Sequence, residues 1–168
     1  NSGKTTLIHV LRAMGYTVIP ESAREVLASS PTGTPGVVEM QGGLQEQIFL
    51  TQKRKEDSLN PEEPLFLDRG VPDSMAYNQI VEQRSPLIID HRMPYRYQTV
   101  FFCHAVPLQR DGLRSEDESW NRRVGQTLQT VYRDLGYDLI ELTADPKEPA
   151  TRSIARRLRE ILRVVEEL

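Results

Sequence analysis

Short apolar runs alternate along the chain with longer stretches in which apolar residues recur at helical spacing. This alternation predicts an α/β domain with a mostly parallel sheet. The predicted strands cover residues 17–20, 65–67, 99–103 and 137–142. The predicted helices cover residues 5–14, 22–30, 38–59, 73–83, 117–135 and 150–167. No linker or repeat interrupts the pattern, so we expect one domain over residues 1–168.

The last predicted helix carries an apolar stripe that we interpret as core packing. The stripe consists of Ile154, Leu158, Ile161, Leu162 and Val165. The single cysteine, Cys103, lies in an apolar run and is interpreted as a small buried side chain. Because it cannot form an internal disulfide, we expect a cytoplasmic protein.

The bulk composition narrows the classes of partner. The 168 residues carry a formal net charge of -3, whereas nucleic-acid binders usually have a basic surplus. We therefore expect no nucleic-acid partner. No apolar stretch approaches the roughly 20 residues that a membrane-spanning helix needs, so we also expect no transmembrane segment.

The start of the chain carries a glycine-lysine-threonine motif. Its letters N-S-G-K-T-T form the second half of the phosphate-loop pattern G-x-x-x-x-G-K-[ST] and open a predicted helix. Gly3 lets the backbone approach the phosphates, Lys4 places an ammonium on the β- and γ-phosphates, and Thr5 offers a hydroxyl to Mg²⁺. We expect the nucleotide-binding residues to be Asn1, Ser2, Gly3, Lys4, Thr5 and Thr6, with Lys4 also catalytic. A plain helix cap at Ser2 is the alternative interpretation.

The leading half of the phosphate-loop pattern is not in the printed sequence, which starts at Asn1. In P-loop proteins that half follows a strand. We therefore expect the domain to be incomplete at its N-terminus, with its first strand missing.

Charged residues follow two of the predicted strands, where ligands of parallel sheets bind. Asp68 either holds the water shell of Mg²⁺ or accepts the proton of an attacking hydroxyl. Glu21 is a second candidate base, and Arg24 and Arg69 are candidates to hold the acceptor or a phosphate. Capping carboxylates and surface arginines are the alternatives.

A charged segment follows the third predicted strand. It carries Arg110 and Arg114, four residues apart. They share a face if the segment is helical, and Gly112 between them supplies a hinge if it is a loop. Two guanidinium groups that close over the phosphates would stabilise the charge of a transition state. These two arginines are therefore candidate catalytic lid residues, and a solvated charged loop is the alternative.

Several motifs in fixed order resemble one protein family. They are S-G-K-T-T-L, P-E-S-A-R-E-V, F-L-D-R-G-V-P-D-S-M-A-Y, Y-R-Y-Q-T-V-F-F, R-D-G-L-R-S-E-D-E and Y-R-D-L-G-Y. Together they resemble the AAA-type ATP-binding domain family related to NadR, whose members are similar to nucleoside and nucleotide kinases. The resemblance implies a P-loop NTPase fold, with a parallel sheet of about five strands and helices on both faces.

The resemblance also implies roles for individual residues. It assigns phosphate binding to Gly3, Lys4 and Thr5, a Walker-B or catalytic role to Asp68, and substrate contact to Arg69. It supports Arg110 and Arg114 as lid arginines. The residues that match the pattern with less defined roles are Glu21, Arg24, Asp73 and Tyr77, and we expect Arg24, Asp73 and Tyr77 to contact substrate beside Arg69.

Two functions follow from these motifs. The first is an enzyme that transfers the γ-phosphoryl group of ATP, with Mg²⁺, to a small nucleoside-like or nucleotide-like acceptor. The resemblance favours a ribonucleoside-like acceptor. The second is a regulatory NTPase that binds ATP or GTP and has no small-molecule acceptor. The sequence contains no N-K-x-D guanine motif, but GTP remains an alternative to ATP.

Overall fold

A computed structural model describes residues 2–29, 42–60, 62–81, 97–104, 115–145 and 147–168. Helices and strands alternate along these segments. In chain order they are α1 (Lys4–Ala13), β1 (Thr17–Ile19), α2 (Ser22–Ser29), α3 (Gly42–Asp57), β2 (Leu65–Leu67), α4 (Val71–Ile80), β3 (Val100–Cys103), α5 (Ser115–Asp134), β4 (Leu139–Leu142) and α6 (Ala150–Glu166). Each predicted helix and strand overlaps one of these elements, so the predicted alternation is confirmed.

The described strands form two parallel pairs. In the first pair β1 lies beside β2, with Thr17 opposite Leu65. In the second pair β3 lies beside β4, with Val100 opposite Leu139. No hydrogen-bonded ladder joins the two pairs within the described residues, so the predicted sheet of about five strands is not confirmed.

One hydrophobic cluster nevertheless packs against both pairs of strands. Its buried members are Leu7 and Leu11 of α1, Leu142 of β4 and Ile161 of α6. Val18 and Phe66 reach this cluster from the first pair, and Phe101 and Ile140 reach it from the second. The predicted apolar stripe of α6 contributes Ile154, Leu158, Leu162 and Val165. Helices α1 and α6 therefore share one core with all four strands.

A second group of apolar residues holds α2, α3 and α4 together. Val26 of α2 packs with Leu44 and Ile48 of α3, and Phe49 of α3 packs with Val71 of α4. This arrangement places the N-terminal ends of α2 and α4 beside the carboxyl ends of β1 and β2.

The start of α4 differs from the prediction. The helix begins at Val71, with Gly70 as its N-cap, and Asp73 occupies the third helical position. The Gly70 N–H donates to the Asp73 carboxylate at 3.1 Å. Pro72 in the first turn fits because a proline there loses no intrahelical hydrogen bond. The helix therefore starts two residues before the predicted start at Asp73, and Asp73 lies close to the N-cap.

None of the helices in the described segments combines the length and apolar composition that a membrane crossing requires.

Candidate active site

The N-terminus of α1 has the features that favour anion binding. Gly3 is the N-cap and has φ 74° and ψ 4°, a left-handed conformation that glycine adopts without strain. No side chain caps the helix, and its first turn holds no acidic residue. The N–H groups of this turn have no intrahelical acceptor and carry the positive end of the helix dipole. They are therefore available to bind phosphate oxygens.

Gly3 is also required because α6 packs closely behind it. A Cβ atom at this position would lie 3.0 Å from Ile154 Cδ1 and 3.6 Å from Arg157 Nη1. Both the backbone angle and the neighbouring helix thus select glycine here.

Asp68 lies directly after β2, close to the first turn of α1. Its N–H donates to the Ile19 carbonyl at 2.9 Å, and the residue is only 8% exposed. Burial raises the pKa of the Asp68 carboxyl above its ordinary value, and the nearby Lys4 ammonium offsets part of that rise. Lys4 forms no ion pair with any residue in the described segments, so its ammonium is available to a ligand.

The residues at this end of the fold fit a magnesium-bound polyphosphate. Thr5 supplies a hydroxyl and Asp68 a carboxylate, and Mg²⁺ prefers such hard oxygen donors, directly or through water. Lys4 supplies a cation beside them. These three residues are among those that the sequence predicted to bind phosphate and metal. Their roles in binding remain predictions.

Four of the predicted substrate and base residues form one group that ion pairs and a hydrogen bond hold together. Arg69 Nε lies 2.5 Å from Glu21 Oε1, and Arg69 Nη1 lies 3.3 Å from Asp73 Oδ1. The same Nη1 donates to the Tyr77 hydroxyl at 3.2 Å. Although burial alone would lower the pKa of Arg69, Asp73, Tyr77 and Glu21 together raise it. Arg69 is therefore a fixed cation between two carboxylates.

Arg24 connects this group to the phosphate loop. Its Nε lies 3.3 Å from Glu21 Oε2, and its Nη2 donates to the Thr5 hydroxyl at 3.4 Å. The Arg24 side chain is 66% exposed, so its head is free to move towards a ligand. The carboxylate of Glu21 is thus only one side chain away from the predicted phosphate site.

Arg69 has an unusual backbone conformation. Its φ of 77° makes it the one non-glycine residue in the described segments with a positive φ. Such a conformation costs about 1–3 kcal/mol and persists only where surrounding contacts impose it. Here Gln52 Nε2 donates to the Arg69 carbonyl at 3.2 Å, and the next residue, Gly70, leads straight into α4. In this conformation the Arg69 side chain lies between Glu21 and Asp73.

Sequence reasoning missed the residues of α3 that support this turn. Glu56 accepts hydrogen bonds from the Val71 N–H at 3.0 Å, from Gln52 Nε2 at 2.9 Å and from the Tyr97 hydroxyl at 2.8 Å. Ser22 donates to Gln52 Oε1 at 2.7 Å. Burial first, and then the Glu56 charge, raise the pKa of Tyr97, which keeps this hydroxyl protonated. The signal for this group was the pair Gln52 and Glu56, two polar residues four apart on one helix face.

A cleft that is open to solvent lies beside these residues. It is bounded by α2, α3 and the start of α4. Its lining comprises Glu21, Ser22, Ala23, Gln45, Ile48, Gln52, Arg69, Gly70, Asp73, Ser74 and Tyr77. The cleft therefore combines apolar walls with Glu21, Arg69 and Asp73 as its charged groups, as ligand sites commonly do.

Some of the remaining predicted residues lie in the described part of the chain and others lie outside it. Thr6 is exposed and Ser2 is half-buried at the start of α1. Asn1, Arg110 and Arg114 lie outside the described residues, so the predicted lid remains a prediction. Cys103, at the end of β3, is half-buried rather than fully buried, and burial raises the pKa of its thiol.

Comparison with known proteins gives one finding. A family model described as an AAA domain matches residues 1–148. These residues include α1, the ion-paired residues around Arg69 and the cleft. No curated protein and no solved structure matches the chain. The family match implies ATP binding and NTPase-like activity, but it does not single out the branch related to NadR. The chain belongs to the AAA domain family and is an AAA-type P-loop domain.

Proposed function

We propose that this protein is a small-molecule kinase, which transfers the γ-phosphoryl group of ATP to a hydroxyl group of an acceptor bound in the cleft. The observation that carries this proposal is the position of Arg24, which contacts both the Thr5 hydroxyl and the Glu21 carboxylate. A phosphate on the first turn of α1 and an acceptor beside Glu21 would therefore lie next to each other. Such proximity is the main requirement of phosphoryl transfer.

The phosphate loop would hold the triphosphate. The free N–H groups after Gly3 would bind phosphate oxygens, and the Lys4 ammonium would neutralise charge on the β- and γ-phosphates. Bound Mg²⁺, held through Thr5 and Asp68, would supply further neutralisation of the phosphate oxygens.

Glu21 is assigned the role of base for the acceptor hydroxyl, and Asp68 the metal side of the site. Glu21 lines the cleft and is held by two arginines, Arg24 and Arg69. Asp68 is not among the residues that line the cleft, and it lies near Lys4. A general base must be within hydrogen-bond reach of the proton that it accepts, which favours the residue in the cleft.

The charges of the cleft favour an acceptor that carries no phosphate. Arg69 is already paired with Glu21 and Asp73, so a phosphate group in the cleft would face two carboxylates. A neutral compound with hydroxyl groups would instead find acceptors in these carboxylates and donors in Arg69 and Tyr77. We propose a nucleoside-like acceptor rather than a nucleotide. The resemblance to the ATP-binding domain family related to NadR, whose members are similar to nucleoside and nucleotide kinases, supports this choice.

The test is ATP consumption by the intact protein with a panel of acceptors. The panel contains neutral nucleosides, their monophosphates and simple polyols, each with magnesium. We expect one or more neutral nucleosides to stimulate turnover, and we expect Lys4→Ala to abolish that stimulation. Lys53→Ala is a matched control, because Lys53 pairs with Asp57 on the surface of α3. Slow turnover that no acceptor changes would contradict the kinase and support a regulatory NTPase that hydrolyses ATP or GTP.

A further inference from the structure

Arg157 of α6 is a buried cation that lies directly behind the phosphate loop. It is 1% exposed and is among the largest fully buried side chains of the described segments. Arginine is rarely buried to this degree unless it is paired. Its surroundings therefore require an explanation beyond the packing of α6.

The guanidinium group of Arg157 binds three separate parts of the chain. Nη1 donates to the Ser2 carbonyl at 2.6 Å, Nη2 to the His104 carbonyl at 3.1 Å and Nε to the Thr143 carbonyl at 2.8 Å. Ser2 precedes α1, His104 follows β3 and Thr143 follows β4. One side chain thus fixes the phosphate loop to the carboxyl ends of two strands.

Arg157 has no carboxylate partner in the part of the chain that the structure describes. Its three described acceptors are all backbone carbonyls, which offer partial charges only. The neighbouring Arg156, in contrast, pairs with Glu148 at 3.3 Å. A buried cation without a counter-ion is costly, so an anion that binds nearby gains a favourable interaction with it.

The contact with Ser2 also determines which groups the loop presents to a ligand. A carbonyl oxygen directed at a phosphate would repel it, whereas the following N–H groups attract it. Arg157 binds the Ser2 carbonyl on the α6 side, and the left-handed Gly3 comes next. The first turn of α1 follows, and its N–H groups have no acceptor within the helix.

We propose that Arg157 is a positioning residue for nucleotide binding. It holds the Ser2 carbonyl behind the phosphate loop, and its buried charge is balanced by the polyphosphate. This inference rests on the proposed function, because it requires a polyphosphate at the first turn of α1. The sequence signal was a basic residue within the apolar face of α6, three positions after Ile154 and four before Ile161.

The experiment measures binding of magnesium-ATP and of inorganic tripolyphosphate to the intact protein by titration calorimetry. The variants are Arg157→Met, which removes the charge, and Arg157→Lys, which keeps it. We expect Arg157→Met to weaken both ligands about tenfold or more, the size of a lost hydrogen bond to a charged group. Arg157→Lys should recover part of this loss, because its ammonium can still bind the Ser2 carbonyl.

Two further measurements separate positioning from general damage to the fold. Arg159→Met is the matched control, since Arg159 is exposed and its described hydrogen bond is to the Ala155 carbonyl of its own helix. It should bind both ligands like the wild type. Thermal unfolding without ligand shows whether each variant is folded. If Arg157→Met is unfolded, the test uses Arg157→Lys, which we expect to bind both ligands at least about twofold more weakly than the wild type.

The results that overturn the inference are specific. Folded Arg157→Met with wild-type affinity for both ligands overturns it, as does folded Arg157→Lys that binds as weakly as Arg157→Met. If Arg157→Met is unfolded, wild-type affinity in Arg157→Lys overturns it. Wild-type protein that binds neither ligand overturns both this inference and the proposed function. If binding depends on Arg157 as expected but no acceptor is phosphorylated, only the kinase proposal fails.

Discussion

Glu21 Oε1 lies 2.5 Å from Arg69 Nε, although the two residues follow different strands. Those strands, β1 and β2, are parallel and end side by side, with Ile19 opposite Leu67. The strand register therefore brings a carboxylate and a guanidinium together at the mouth of the cleft. If Glu21 is the base, Glu21→Gln should lower kcat for acceptor phosphorylation about a hundredfold, while affinity for magnesium-ATP stays close to that of the wild type.

Steady-state kinetics with the best acceptor of the panel check this prediction. Glu25→Gln is the control, because Glu25 lies four residues after Glu21 on α2, is exposed and pairs with Lys55 at 2.6 Å. A change at such a surface position should leave kcat within about twofold of the wild type. Equal kcat values for wild type and Glu21→Gln would show that Glu21 is not the base.

The positive φ of Arg69 predicts an unusual order of stability between two variants. Arg69→Ala and Arg69→Gly both remove the side chain, but only glycine adopts φ 77° without strain. We expect Arg69→Gly to have a free energy of unfolding about 1 kcal/mol higher than Arg69→Ala. Denaturant unfolding measures both. If the alanine variant is equally or more stable, the turn is not strained in solution.

Asp68 is predicted to contribute to activity at the expense of stability. Burial raises its pKa, so the charged carboxylate disfavours the folded state at neutral pH. Asp68→Asn should therefore unfold at the same or a higher temperature than the wild type in the absence of ligand. Its magnesium-dependent turnover should fall about a hundredfold, as expected when a group that stabilises transition-state charge is lost.

The pH dependence of this difference has a defined sign. The destabilisation by charged Asp68 is complete above its raised folded-state pKa. It disappears as the pH falls below the ordinary aspartate pKa, where the carboxyl is neutral in the folded and unfolded chains alike. Melting temperatures of wild type and Asp68→Asn should therefore converge on acidification. Curves that diverge on acidification would contradict the raised pKa.

Replacement of Gly70 is predicted to destabilise the fold because a side chain there would clash with its neighbours, not because of the backbone angle. A Cβ atom there would lie 2.5 Å from the Tyr97 hydroxyl oxygen and 3.0 Å from that of Tyr132. Those tyrosines are held by Glu56 and by Asp73, so neither can withdraw easily. Gly70→Ala should lower the free energy of unfolding by about 1–3 kcal/mol.

Gly43 is the matched control for this substitution. It lies in the first turn of α3, and a Cβ atom there would meet nothing within 4 Å. Gly43→Ala should therefore be neutral or raise the free energy of unfolding by up to about 1 kcal/mol. Denaturant unfolding of both variants checks the pair, and equal losses in the two would contradict the steric explanation.

The sequence predicted the local structure well because the local signals agree with the packing. Helical spacing of apolar residues located α1 and α6, and the compact apolar run at Leu65 located β2. Grouping of Glu21 with Arg69 followed from the rule that parallel strands end at one edge. What the sequence did not predict was which side chain contacts which.

The supporting residues were harder to predict because their role depends on long-range contacts. Glu56 accepts a hydrogen bond from the N–H of Val71, which is 15 residues away in the sequence. Arg157 donates a hydrogen bond to the carbonyl of Ser2, which is 155 residues away. No local periodicity encodes such pairs. The start of α4 was misplaced for a different reason, since an aspartate at the third helical position has the same composition signal as one at the N-cap.

The most direct test of the central claim follows the terminal phosphoryl group of ATP. The intact protein is incubated with magnesium, γ-labelled ATP and a neutral nucleoside, and the labelled products are separated. Transfer through the cleft predicts label on the acceptor as a phosphate ester, with Glu21→Gln and Lys4→Ala both depleting that ester. Label found only in inorganic phosphate, whichever acceptor is present, would contradict the account.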